Sequence, residues 1–164
     1  PVLQSSTEEP QHYLYRDYKG NDTKYGSIFM DADATIGKSR CMTLYGHHMN
    51  DNSMFQPLMN YKDKDFFESH KTIYFDMLRE KGTYTVVAVI LSRALSEDEE
   101  GFRYYGHTSF ADEADFNDYM NNIRQMTLYD TGESAVYGDR LITLSTCEYS
   151  QEDGRLAVIA KKIN

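Results

Sequence analysis

Leu141-Ile142-Thr143-Leu144-Ser145-Thr146-Cys147, followed by Arg155 in Gly154-Arg155-Leu156-Ala157-Val158-Ile159-Ala160, is the stretch on which the reading of this chain turns. Residues 141–146 and 156–160 are short runs rich in apolar and β-branched side chains. Residues 148–154 between them are polar and contain glycine, so the pattern is two strands joined in a hairpin. If Cys147 and Arg155 face each other across it, their Cβ atoms lie roughly 4.5 to 5.5 Å apart. Alternation puts Ile142 and Leu144 on one face and Thr143, Ser145 and Cys147 on the other, so the thiol is expected to leave the core side. Alone this says little about chemistry, because Cys is among the most buried residue types and a thiol beside a strand reads first as inert packing.

Upstream, Met42 to His47 reads as another strand, and Tyr45-Gly46-His47-His48-Met49 places two adjacent imidazoles at its end. Met54-Phe55 follows. Earlier in the chain stand Tyr13-Leu14-Tyr15-Arg16-Asp17-Tyr18 and Tyr25-Gly26-Ser27-Ile28-Phe29-Met30-Asp31. Taken in this order with the Thr-Leu-Ser-Thr-Cys run and its downstream Arg, these motifs resemble the class B sortases, the cysteine transpeptidases of Gram-positive cell surfaces. The resemblance spans most of the chain. It departs at position 48, where the family pattern has Asn after the histidine, and it favours His47 over His48 as the catalytic imidazole.

The resemblance implies a mainly β protein, a closed antiparallel barrel of about eight strands with flanking short helices. Residue patterns place strands at 12–17, 27–31, 42–47, 70–77 and 83–92, besides the hairpin pair. The unbroken run Val86 to Leu91 predicts a strand buried on both faces. Short helical stretches are expected from 53 to about 59 and near 63–67. A helix over 111–126 is predicted from Phe116, Tyr119, Met120 and Ile123 at helical spacing, opened by a capping box at Ser109 to Asp112. Residues 1–11 read as a flexible N-terminal segment and 12–164 as one catalytic domain. Ser96 to Gly101 reads as a solvated acidic loop.

With 164 residues, 14 Tyr, 8 Phe and no Trp, the chain has the composition of a β-rich globular domain rather than a disordered one. Its 17 basic against 26 acidic residues give a formal charge of −9, which argues against nucleic acid as a partner. Two cysteines do not make a disulfide framework, and Cys41 sits about 20 Å along a strand from the His47 end, so a free Cys147 thiol is expected. No apolar run approaches the ~20 residues of a membrane span. Because the family is held to the membrane by an N-terminal hydrophobic segment, the chain is expected to be an ectodomain at the extracellular face of the plasma membrane with that anchor absent.

The family reaction cleaves a sorting signal after Thr, of the Asn-Pro-x-Thr-x kind, and joins that Thr to an amine of a peptidoglycan precursor or of the cell wall. It needs a nucleophile, a proton donor for the leaving amine and a cation near the oxyanion. The resemblance assigns these to Cys147, His47 and Arg155, with Ser145 and Thr146 lining the peptide groove, where either hydroxyl can equally satisfy backbone groups. No cofactor is expected. A zinc site from Cys41, His47, His48 and Cys147 is disfavoured because adjacent strand residues face opposite ways, and no calcium-type oxygen spacing is present. The rival readings are a hydrolytic cysteine peptidase and a non-catalytic β-module for adhesion.

Overall fold

The run Val86-Val87-Ala88-Val89-Ile90-Leu91 offers no polar side chain to water on either face. In the computed structural model, which describes residues 1–78 and 80–164, it forms the middle of the longest strand. Among the described residues seven strands make one sheet: β1 (Leu3–Gln4), β2 (Phe29–Met30), β3 (Cys41–Tyr45), β4 (Thr72–Tyr74), β5 (Thr83–Arg93), β6 (Leu141–Cys147) and β7 (Gly154–Lys162). Their order is β1-β2-β3-β6-β7-β5-β4, and the sheet curls strongly into a half-barrel. The class is mainly β, as expected, with seven strands where the sequence suggested about eight. Two pairings are parallel, β1 with β2 and β3 with β6. The chain leaves β3 at Tyr45 and re-enters the sheet beside it only at Leu141, and a crossover of that length permits parallel entry. The tight turn after Cys147 forces β6 and β7 to run antiparallel.

The pleat sorts side chains into two buried layers. Leu44, Ile142, Leu156 and Val158 meet Tyr61 and Phe67 from a 3₁₀ helix (Gln56–Lys62) and α1 (Lys64–Ser69). On the other face Leu141, Ala157 and Ile159 meet Phe116, Tyr119 and Ile123 of α2 (Glu113–Met126). A register shift between Val86 and Ala88 lets β5 serve both layers, with Val86 and Val89 on one side and Val87, Ala88 and Ile90 on the other. Each buried aliphatic or aromatic side chain contributes about 1.5 to 3 kcal/mol.

This second layer corrects one expectation. Thr143 and Ser145 do share a face with Cys147, but that face is covered, leaving Thr143 0% and Ser145 2% exposed. Alternation tells which residues share a face; it does not tell that a helix from well upstream in the chain lies over it.

Four local readings also change. Residues 12–17 do not form a strand: His12–Leu14 is a 3₁₀ turn, with His12 N donating to Glu9 O at 3.0 Å and Leu14 N to Gln11 O at 2.9 Å. The segment 1–11, expected to be loose, is pinned at its start, because Leu3–Gln4 joins the sheet and the Gln4 side-chain amide donates to Asp31 O at 2.9 Å and Ala34 O at 2.6 Å. The cap of α2 is Asp112, whose carboxylate accepts from Asp115 N at 3.0 Å, and not a box opened by Ser109. Phe110 is drawn onto Phe116, ring centroids 5.0 Å apart, so the chain cannot begin the helix there. The strand expected over 70–77 shrinks to Thr72–Tyr74, because His70 closes α1 with its N–H on Phe67 O at 2.9 Å.

Candidate active site

The turn between β6 and β7 places the thiol and the guanidinium. Cys147 is paired with Arg155 in the antiparallel register, so the two stand opposite each other at the turn end of the hairpin. Glycine at 154 is required there, since an added Cβ would lie 2.2 Å from the Glu148 carbonyl oxygen. Glu148 N donates to Gly154 O at 2.9 Å, and the Arg155 guanidinium turns back to donate from Nη1 to Asp153 O at 3.1 Å and Gly154 O at 2.8 Å.

Glu148, next to the thiol, is buried and paired with the Lys62 ammonium, while Ser150 donates to it from both N and Oγ. Burial alone would raise its carboxyl. The hydrogen bonds from Lys62 and Ser150 outweigh this and hold it at about 2. The turn that carries Cys147 and Arg155 is thereby fastened to the 3₁₀ helix beneath it. Sequence reasoning missed this pair, and no local pattern could have found it, because Lys62 lies 86 residues away.

The imidazoles arrive through the parallel pairing. Tyr45 of β3 is in register with Ser145 of β6, which brings the loop that follows Tyr45 to the Cys147 end of β6. β3 ends at Tyr45, and the following loop is tied to β6 by Gly46 N on Ser145 O at 3.2 Å and by Thr146 Oγ1 on Gly46 O at 2.8 Å. His47 donates from Nε2 to Leu14 O at 2.6 Å, and its ring lies 5.2 Å from that of Tyr15. His48 turns the other way, donating from Nδ1 to the Cys147 carbonyl at 3.0 Å and packing on Tyr149 at 5.0 Å. The two adjacent histidines thus have different neighbours.

A groove of about 560 Å³ opens over this centre, lined by Cys147, Arg155, His47, Tyr15, Tyr104 and Tyr149 among others. Ser145 and Thr146 also line it, but their hydroxyls are engaged. Thr146 holds Gly46, and Ser145 meets the Tyr104 hydroxyl at 2.8 Å. Burial pushes the Tyr104 phenol up to about 12, so it stays neutral and serves as a fixed hydrogen-bonding wall. Cys41 is paired with Leu141 at the far end of β6, about 20 Å along the strand from Cys147, and both thiols are free. Burial pushes the Cys41 thiol up to about 12. Among the described residues, no group of three or more His, Cys, Asp or Glu side chains is placed to hold a metal ion.

The sortase domain model matches residues 7–163, nearly the whole chain. The chain belongs to the sortase family. Its relatives include the sortase B of Listeria monocytogenes, 36% identical over 99% of this chain and 64% of that protein, so the chain spans less than two thirds of that relative's length. Among solved structures, the Staphylococcus aureus sortase B–substrate complex superposes with a TM-score of 0.86 at 31% identity, covering all of this chain and 73% of that one. A sortase B complexed with triglycine superposes equally well, with a TM-score of 0.86 at 32% identity over all of this chain and 74% of the other. The curled sheet is therefore the sortase barrel, of the class B kind. Among the described residues, no helix of this sortase is long and apolar enough to cross a membrane.

Proposed function

We propose that this sortase is a cysteine transpeptidase that cleaves a cell-wall sorting signal after Thr and transfers the acyl group to an amine. The observation that carries this is the convergence, on one groove, of a thiol, a guanidinium paired opposite it and an imidazole carried by the loop that follows β3. In the first step Cys147, its proton passed to His47, attacks the Thr carbonyl carbon as the thiolate, and Arg155 donates to the oxygen as it becomes negative. The carbon–nitrogen bond then breaks, His47 supplies the proton to the leaving amine, and a thioester remains on Cys147. In the second step an incoming amine attacks the thioester and gives its proton to His47. The thiolate departs, and a new amide is formed.

The partners proposed are a peptide of the Asn-Pro-x-Thr-x kind and a peptidoglycan precursor or cell-wall amine, at the extracellular face of the membrane. The substrate and triglycine complexes of related sortases support both classes of ligand. The catalytic unit proposed is residues 12–164. A pentapeptide cleavage screen read by mass spectrometry, run with and without an amine acceptor, tests the reading. Cleavage after Thr with a ligated product in the presence of the amine is expected. Cleavage giving only the free acid would make the enzyme a hydrolase, and no cleavage of any peptide, with a Cys147 silent to thiol probes, would favour a binding module.

A further inference from the structure

Gly26 has a φ of +57°, in the left-handed region, and a Cβ added there would lie 2.1 Å from the Leu14 carbonyl oxygen, 2.8 Å from the Leu14 carbonyl carbon and 2.8 Å from Tyr13 O. Other glycines of positive φ are different: at Gly20, Gly37, Gly106, Gly132 and Gly138 an added Cβ meets nothing within 4 Å. Those positions need glycine only for the turn. Gly26 needs it for space, and the atom that occupies the space is the carbonyl that holds His47.

The route from one to the other runs through a short irregular pairing of residues 13–16 with 22–27. Ser27 N donates to Tyr13 O at 2.9 Å and Thr23 N to Tyr15 O at 2.9 Å, while Arg16 bridges Asp22. The carbonyl between them, Leu14 O, lies over the Cα of Gly26 and accepts from His47 Nε2 at 2.6 Å. Among the described residues Nδ1 of His47 has no hydrogen-bond partner. A carbonyl can only accept, so this bond requires the proton on Nε2, and the partner of one ring nitrogen fixes what the other can do.

We propose that Gly26 is a positioning residue: by carrying no side chain it lets the Leu14 carbonyl seat against Nε2–H of His47, which fixes the tautomer and makes Nδ1 the atom that gives and takes the proton. The inference rests on the proposed catalytic role of His47. The proton on Nε2 stays there throughout, hydrogen-bonded to Leu14 O, and Nδ1 is protonated when the leaving amine is to be served and bare when the incoming amine is to be deprotonated.

Two substitutions separate the crowding from the turn geometry. Asn tolerates the left-handed region better than Ala, yet both carry the Cβ that strikes Leu14 O. Nitrogen-15 NMR of imidazole-labelled protein at mildly alkaline pH is expected to show His47 of the parent protonated at Nε2. In Gly26→Ala and Gly26→Asn, folded by circular dichroism, a mixture of tautomers and a fall of about 10²-fold in kcat with little change in KM are expected, the size of loss that a 1 Å misplacement produces. Gly20→Ala, a glycine of the same backbone class in open space, should match the parent in both readouts.

A parent His47 protonated at Nδ1 overturns the proposal, and so does a Gly26→Asn enzyme with parental kcat and tautomer. If neither Gly26 variant folds, the tautomer of the parent decides by itself. A parent that cleaves no peptide refutes the proposed function instead, and the tautomer is still read from its own spectrum.

Discussion

His48 Nδ1 donates to the backbone carbonyl of Cys147 at 3.0 Å, so the residue at the position where the sequence resemblance leads one to expect Asn is bonded directly to the strand end that bears the thiol. An Asn amide can donate to the same carbonyl. His48→Asn is therefore expected to keep kcat/KM within about threefold of the parent. His48→Ala, which also removes the packing on Tyr149, should lower it by about tenfold, corresponding to one hydrogen bond of about 1.4 kcal/mol. His47→Ala should abolish turnover. Steady-state kinetics on one pentapeptide rank the three, and a His48→Ala enzyme worse than His47→Ala would show that the wrong imidazole was assigned.

Cys41 and Cys147 should separate cleanly with an alkylating probe near neutral pH. Cys41 is fully buried with its thiol pushed up to about 12, while Cys147 is partly exposed in the groove. One equivalent of label is expected on the native protein, at Cys147, and two after unfolding. Cys147→Ala should leave the fold intact and end cleavage, and Cys41→Ala should retain most activity. Native labelling at Cys41 would mean that the second layer of the sheet is not closed.

The Lys62–Glu148 pair has a definite pH signature. The folded-state carboxyl is held at about 2 against an ordinary value of 4.5, so it contributes stability that is fully present above about 4.5 and is lost as pH falls toward 2. Lys62→Met should cost about 1 to 3 kcal/mol at pH 7, the worth of a charged hydrogen bond together with the desolvation left behind. That difference should shrink as the pH is lowered through 4. Urea melts of both proteins at pH 7, 4.5 and 3 measure it, and a difference independent of pH would mean that the ammonium contributes packing alone.

Arg155→Lys keeps the charge and changes the geometry. The guanidinium already spends one Nη on its own turn and presents its remaining donors from a rigid plane, whereas an ammonium is a compact, strongly hydrated point charge. The exchange should cost about 10²-fold or more in kcat/KM, the scale seen when one oxyanion donor is removed. The loss should fall on acylation. Single-turnover rates on one pentapeptide isolate that step, and a folded variant within threefold of the parent would reduce Arg155 to a surface charge.

Much of this architecture is local and was legible as such. The runs that became β5, β6 and β7 are dense in β-branched and apolar residues, and Phe116, Tyr119, Met120 and Ile123 repeat at the helical period, so propensity and packing agree there. The pairing of Cys147 with Arg155 follows from the same local logic, since a tight turn between two strands leaves little choice of partner. The 12–17 segment misled because alternating tyrosines mimic a strand, while its backbone donors were taken by Glu9 and Gln11 in a turn.

What the sequence determined by itself, then, was the set of strongly patterned elements, the residue types gathered at the hairpin and, through motif order, the family. Tertiary structure alone decided that the thiol-bearing face lies beneath α2, that a lysine 86 residues away holds the turn, and that a leucine carbonyl orients the imidazole. The physical reason is that hydrophobic period is written in neighbouring residues. A buried carboxylate and a ring nitrogen are satisfied by whichever donor or carbonyl the completed fold brings within about 3 Å, and backbone carbonyls look alike in every sequence.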